Sequence, residues 1–371
     1  MVRSRLIPAV AALFAVACTD PSTAVISDAL DPSLDVTAAA TTQVVMSNLN
    51  SPRGLTFGPD GSLYVVESGA PVINGPCATV VRGQNCYSGT GSISRLKKGV
   101  QERIVTGLPS ILNPAIPDIA GPQHVAFQGT GNMYITIGWG GAPAARSQLG
   151  SFSAGFGSLM LVKPNGKREV VADISAYEHS NNPDSGFVDS NPYGLLVEAG
   201  RQFVTDAGGN SLFEISPSGN LSLLATFPRI AVPSGPFNPP FAFSEAVPTL
   251  VRRGPDGALY VSTLTGVPFR PGAATIFRVA PGNAPQAYAT GFTQVTAIEW
   301  GPDGSLYVLQ YASAPFFGGP GSLIRLKDNV RTTIIATLTK PTGLAIGKDG
   351  AFYVAQNHAV PGAGEVLRIV P

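Results

Sequence analysis

Six times along this chain a short apolar hairpin returns, and a chain that repeats one hairpin six times has few ways to bury it. The clearest copies are residues 52–69 (PRGLTFGPDGSLYVVESG), 248–262 (PTLVRRGPDGALYVS), 296–309 (TAIEWGPDGSLYVL) and 341–355 (PTGLAIGKDGAFYVA). Residues 122–136 and 191–205 are looser versions. Aligned on the aromatic of the second strand, Tyr64, Tyr134, Phe203, Tyr260, Tyr307 and Tyr353 share one column. Gly61, Gly131, Gly200, Gly257, Gly304 and Gly350 stand three residues before it, where a tight turn calls for positive φ. Self-similarity at this spacing is the signature of a repeat architecture.

Two further strand-like runs follow each hairpin. The third reads GSISRL, GSLMLV, NSLFEI, ATIFRV, GSLIRL and GEVLRI, and the fourth reads ERIVTGL, REVVADI, LSLLATF, QAYATGF and TTIIATL. The sixth fourth-strand is missing, because the chain stops at Pro371. A run of the same class, residues 43–49 (QVVMSNL), precedes the first full unit. The expected fold is therefore all-β, a six-bladed β-propeller of four-stranded blades whose last blade is closed by the N-terminal strand. It would occupy residues 42–371 as one domain and act as a monomer.

Strand order also sorts the loops. The turns between strands one and two, and three and four, are short. Residues 69–89, 138–156, 175–190, 228–247, 266–272, 311–320 and 357–363 form long loops on the opposite face. Loops held by a rigid scaffold are the usual place for function.

Three residues beyond the aromatic column, at that long-loop face, stand Glu67, Asp206, Gln310 and Gln356. The starts of first strands add Arg53, His124, Asn191 and Thr249. Polar side chains at the ends of inner strands are expected to converge on the central mouth as a ligand site, or to cap those strands against neighbouring backbone. Within that set Glu67, Asn191 and Asp206 carry the oxygens that Ca²⁺ takes, which makes Ca²⁺ the candidate cofactor. Asp206 and Asn210 have a second reading, as short side chains that pin their own turn. Residues 181–193 (NNPDSGFVDSNPY) are also dense in oxygen ligands but lack EF-hand spacing. His124 is the one histidine on an inner strand, hence the candidate general base, with a packing role as its alternative. No HExxH helix or Gly-x-Ser-x-Gly elbow is present.

The first residues read as an export signal. Arg3 and Arg5 precede an apolar run ending in Ala15-Val16-Ala17, followed at once by Cys18. This resembles a bacterial lipobox, implying a leader over residues 1–17, lipidation at Cys18 and a flexible tether over 18–41; ordinary signal cleavage is the alternative. The expected location is the periplasm or cell envelope, with the membrane reached only through that lipid. In an exported chain Cys77 and Cys86 are expected to form a disulfide. The formal charge of +1 becomes −1 without Arg3 and Arg5, and no basic patch points to nucleic acid.

Taken together, SPRGLTFGPDGSLYVVESG, the GPC…CY loop (residues 75–87), GPQHVAFQGTGNMYITIGWGG, DSNPYG, DAGGNSL, YATGFT and PGAGEVLRI resemble the ScyD/ScyE family of bacterial proteins. The resemblance runs over nearly the whole mature domain. It implies an NHL-like propeller in a family with no settled biochemical activity. The function expected from residues and resemblance is binding of a small molecule or envelope protein on the long-loop face. The enzymatic alternative is a Ca²⁺-dependent lactonase or related hydrolase, and a quinoprotein dehydrogenase with His124 as base is a third option.

Overall fold

The computed structural model describes residues 40–80, 83–115, 118–232, 243–360 and 362–371. The expected export signal, Cys18 and the expected tether up to residue 39 lie outside these. Among the described residues no helix is long and apolar enough to cross a membrane.

Six four-stranded antiparallel sheets follow the repeat. Blade 1 holds Pro52–Phe57, Leu63–Glu67, Gly91–Lys97 and Val100–Leu108; blade 2 holds Pro122–Gln128, Asn132–Ile137, Ser158–Val162 and Arg168–Asp173. Blades 3, 4 and 5 begin on Pro192–Glu198, Pro248–Arg253 and Val295–Trp300 and repeat the meander. Blade 6 holds Gly343–Ile346, Phe352–Gln356 and Gly364–Val370, and its fourth strand is Thr41–Leu49. That strand runs antiparallel to Gly364–Val370, from Thr41 opposite Val370 to Leu49 opposite Gly364. First strands of successive blades touch one another around a closed ring, with blade 6 returning to blade 1. The expected propeller and its closure are both seen.

A belt of hydroxyls stitches the ring. Ser68 Oγ donates to the Pro122 carbonyl at 2.8 Å, Thr136 Oγ1 to Tyr193 at 2.7 Å and Thr205 Oγ1 to Thr249 at 2.5 Å. Thr249 Oγ1 donates to Val295 at 2.9 Å, Thr296 Oγ1 to Pro341 at 3.1 Å and Thr342 Oγ1 to Pro52 at 2.9 Å. Each bond joins one blade to the next, and the last joins blade 6 to blade 1. Between blades the sheet faces pack as apolar layers, such as Met46, Leu49 and Val366 of blade 6 against Leu55 and Val65 of blade 1. A strand side chain in this architecture therefore looks toward a neighbouring blade rather than toward the axis.

On the short-turn face the repeat aspartates behave as turn clamps. Asp303 accepts from Ser305 N at 3.0 Å, Ser305 Oγ at 2.7 Å and the Arg325 guanidinium of the third strand at 2.7 Å. Asp349 repeats this with Ala351 N and Arg368. The Arg325 guanidinium, and then Ser305, hold the Asp303 carboxyl well below its ordinary range. A depressed folded-state pKa gives stability that is complete above the unfolded value and fades as pH falls through the folded one. The Tm gap between wild type and Asp303→Asn should be full above about pH 4 and close below it. The gap should be small, about 1 kcal/mol or less, since the carboxylate is 38% exposed. A gap unchanged down to pH 2 in thermal melts would refute this.

The glycine column holds in five of six hairpins. Gly61, Gly200, Gly257, Gly304 and Gly350 have φ between 74° and 79°, with open space where a Cβ would stand, so conformation alone requires glycine. In blade 2 the positive φ falls on Gly129 (63°) instead of Gly131.

Further elements occupy segments expected to be plain loops, among them a two-stranded ribbon of Ile230–Ala231 and Phe243–Ser244. Cys77–Val80, Gly83–Tyr87, Ile111–Asn113 and Asp118–Ala120 form a further four-stranded sheet, and Cys77 and Cys86 pair opposite one another as the expected disulfide. Pro143–Ser153 is a 3-10 segment. Ile174–Asn181 is an α-helix, capped at its start by Asp173, which accepts from Ala176 N at 2.8 Å.

Candidate functional site

The polar ring expected at the mouth does not assemble as a ring. Glu67 is fully buried within blade 1. Its Oε1 accepts from Ser94 Oγ at 2.6 Å and Arg103 Nε at 2.9 Å, while Oε2 accepts from Asn50 N at 2.6 Å and Arg103 Nη2 at 2.9 Å. Gln310 accepts from Thr293 N at 2.6 Å and Gln356 from Thr339 N at 2.9 Å. Asp206 Oδ1 accepts from Asn191 N at 2.6 Å. In blades 1, 3, 5 and 6 this column thus ties the end of the second strand to the crossover entering the same blade, which is the capping role. Thr249 is a member of the hydroxyl belt.

The calcium set Glu67–Asn191–Asp206 is corrected with it, because the Glu67 oxygens are filled by Arg103, Ser94 and Asn50. Asp206 and Asn191 do lie together. Asp206 spends its oxygens on Ser190 Oγ and on the backbone N–H groups of Asn191, Gly208 and Gly209. Burial raises its carboxyl to about 6 against those donors, and Asp189 adds to the rise. Asn210 donates to Asp184 and Glu245 and accepts from Val247 N. Asp206 thus pins its own turn, whereas Asn210 ties that turn to Asp184, Glu245 and Val247. Among the described residues no three His, Cys, Asp or Glu side chains close on a common point.

His124 packs against Gly54 of blade 1, where any Cβ would stand 2.4 Å from its Cδ2. Burial, and then Arg252, hold its imidazole well below the ordinary value. It is neutral and 4% exposed, which suits a packing residue.

Of the expected residues Arg53 is the one set beside titratable groups of several other blades. Its Nε donates to Ser68 Oγ at 3.2 Å and its Nη2 to the Ile119 carbonyl at 3.0 Å, with Asp118 at 3.7 Å. The extra sheet thus anchors one side of the guanidinium. Its charge acts on Tyr193 of blade 3, Tyr311 at the end of blade 5 and His358 at the end of blade 6. Tyr311 Oη and His358 Nε2 share a hydrogen bond of 2.5 Å. Burial lifts the Tyr311 phenol to about 12, with Arg53 opposing and Tyr193 and Asp118 adding. Burial, then Arg53 and Lys340, press the His358 imidazole well below its ordinary value. Lys340 lies 5.2 Å from the Tyr311 ring centre and donates to the Phe317 carbonyl. Phe317 stacks on Phe269 at 4.2 Å and meets Tyr311 at 5.3 Å.

The mouth therefore carries two cations, one carboxylate, a neutral tyrosine–histidine pair and an aromatic wall. Tyr193, Tyr311, Lys340 and His358 were not singled out from sequence. Tyr311 and His358 stand one and two residues beyond the capping column, where each strand has left its sheet and a side chain can turn toward the axis. Arg53 at a first-strand start was the signal available. Two surface depressions, near Asp184 and near Arg146, open on the flanks of the ring, away from the mouth.

No protein-family model and no curated protein sequence matches this chain. Solved structures do. Virginiamycin B lyase from Staphylococcus aureus aligns with a TM-score of 0.50 at 13% identity, over 90% of this chain and 99% of its own. The soluble aldose sugar dehydrogenase of Escherichia coli gives 0.51 at 12%, covering 90% and 100%. A protein assigned as a gluconolactonase gives 0.50 at 12%, covering 90% and 93%. The likeness establishes the propeller fold. At these identities it carries no activity across.

Proposed function

We propose that this chain is an exported, ScyD/ScyE-like propeller that binds a small, anionic, ring-bearing molecule in the mouth of its channel. One observation carries the reading: Tyr311 of blade 5 bonds His358 of blade 6 with Lys340 beside its ring, and Arg53 of blade 1 acts electrostatically on both and on Tyr193 of blade 3. Half-buried cations beside aromatic faces suit an anion attached to a flat ring, with Arg53 presenting a fork of donors. The Tyr311–His358 pair is neutral, so Lys340 and Arg53, the latter partly offset by Asp118, supply the positive charge the ligand meets. Export and anchoring through Cys18 belong to the same proposal, and the Cys77–Cys86 disulfide suits an oxidising compartment.

Calorimetry with 4-hydroxybenzoate as the reference probe, within a panel of aromatic carboxylates, tests it. Binding should weaken at least tenfold in Arg53→Met and in Lys340→Met, and be lost with neutral 4-hydroxybenzamide. Asp60→Ala, on the opposite face, should bind as wild type. Equal affinity of both cation variants for the tightest member of the panel would sink the proposal.

A catalytic reading has one observation of its own, the short Tyr311–His358 contact beside Arg53. A neutral imidazole bonded to a phenol can pass a proton to or from a bound molecule. Turnover of any bound panel member that is lost in His358→Gln while binding persists would favour the enzyme. Lactone hydrolysis through a central Ca²⁺ has less support, because the expected ligand set is not brought together.

A further inference from the structure

Three carboxylates are fully buried among the described residues: Glu67, Asp206 and Glu178. Glu67 and Asp206 each receive four donated hydrogen bonds. Glu178 receives none on either oxygen. It stands in the last turn of helix Ile174–Asn181 and points at the Asp206–Gly209 turn, its Oε2 lying 2.6 Å from where a Gly209 Cβ would stand. Glycine at 209 is what lets it approach.

The neighbouring acidic side chains are rich in oxygen. Asp206, Asp184 and Asp189 add like charge around Glu178. Asn182, the left-handed cap of the same helix, points an Oδ1 that also receives no donor. The nearby cation, Arg229, is taken up by Glu245 at 3.2 Å. A buried carboxyl with no donor, set among other carboxylates, costs too much to leave uncompensated. No cysteine is present, and His179 faces solvent. Such a donor set excludes the softer metals and suits a hard cation, which takes carboxylate, amide and backbone oxygens together.

We propose that Glu178 and the Oδ1 of Asn182 hold a calcium ion, with Asp184 and Asp189 supplying the surrounding negative charge. Two side-chain ligands with neighbouring backbone oxygens need no cage of three carboxylates. An open depression of about 480 Å³ has Pro183 and Asp184, next along the chain from Asn182, in its wall. The ion would pin the helix and the DSNPYG segment to the DAGGN turn. The proposed ligands share no residue with the Arg53–Tyr311–His358 group.

The test is calorimetric titration of CaCl₂ into the full chain after stripping with EDTA, with thermal melts in parallel. One calcium per chain is expected, with a rise in Tm because only the folded state binds. Equimolar MgCl₂ should give a much smaller shift. Glu178→Gln should abolish binding without lowering the calcium-free Tm, Asp184→Asn should weaken it at least tenfold, and Arg53→Met should leave it intact. Absence of calcium heat from the wild type overturns the proposal and leaves Glu178 buried as the neutral acid. So does unaltered affinity in either Glu178→Gln or Asp184→Asn. Should Glu178→Gln fail to fold, the wild-type titration and the partly exposed Asp184 still decide.

Discussion

Deleting residues 41–49 should leave a chain that cannot hold its ring together. Met46 and Leu49 are 1% and 0% exposed in the layer between the last and first blades. Emptying one such site alone costs about 2–5 kcal/mol. The deletion empties both and removes every partner of Gly364–Val370 along that edge. The combined loss approaches the whole stability of an ordinary domain, about 5–15 kcal/mol. It also bares an unpaired strand edge, which is a template for association. Size-exclusion chromatography and denaturant melts should show aggregated or unfolded protein, with Leu49→Ala as the milder case at about 2–5 kcal/mol. A monomer that melts like wild type would refute closure by this strand.

Glu67→Ala is expected to be the most damaging single change at the mouth-side end of the strands, and through folding rather than through ligand. Its carboxylate joins the end of its own strand to Ser94, to Arg103 and to Asn50. Arg103 in turn donates to the Asn48 carbonyl at 2.8 Å, so the cluster reaches the closing strand. Removing one partner of such a pair leaves the other's charge and a backbone N–H without a partner. That costs about 3 kcal/mol when the arginine is partly solvated. Glu67→Gln keeps an acceptor for Asn50 and should lose roughly half as much. Urea melts with and without EDTA separate this from a metal-ligand role. A loss that appears only in the presence of calcium would restore Glu67 as a ligand.

Much of the architecture was legible because it is local and repeated. The aromatic column, the turn glycines and the GSLIRL-type third strands recur in register, and a one-residue slip would turn each strand's apolar set to the wrong face. The closing strand was legible by elimination, since one fourth-strand was missing and one of that class stood unused at residues 43–49. What could not be read was the structure inside the long segments. The sheet around Cys77–Cys86 pairs Cys86 and Tyr87 with Leu112 and Ile111 across an intervening stretch of blade 1. Helix Ile174–Asn181 sits in a polar segment, and its signal was no stronger than an Asp cap before Ile174.

The capping column shows where the reading of the site failed. Glu67, Asp206, Gln310 and Gln356 share a position, so it was natural to aim them at a common centre. Neighbouring blades face one another, however, and a side chain on a strand turns into the layer between blades or back to its own crossover. There it meets a backbone N–H that must be satisfied.

By itself the sequence determined the repeat, the hairpin turns, the order of strands and the closing of the ring. These rest on propensity, alternation and glycine conformation, all properties of a few neighbouring residues. Only the tertiary structure decided which side chains meet at the mouth. Arg53, Tyr193, Tyr311, Lys340 and His358 are spread over some 300 residues. They converge because the ring brings loop ends of blades 1, 3, 5 and 6 to one place, and no local pattern encodes that meeting. Glu178 shows the same limit, since its lack of a partner is a property of everything packed around it.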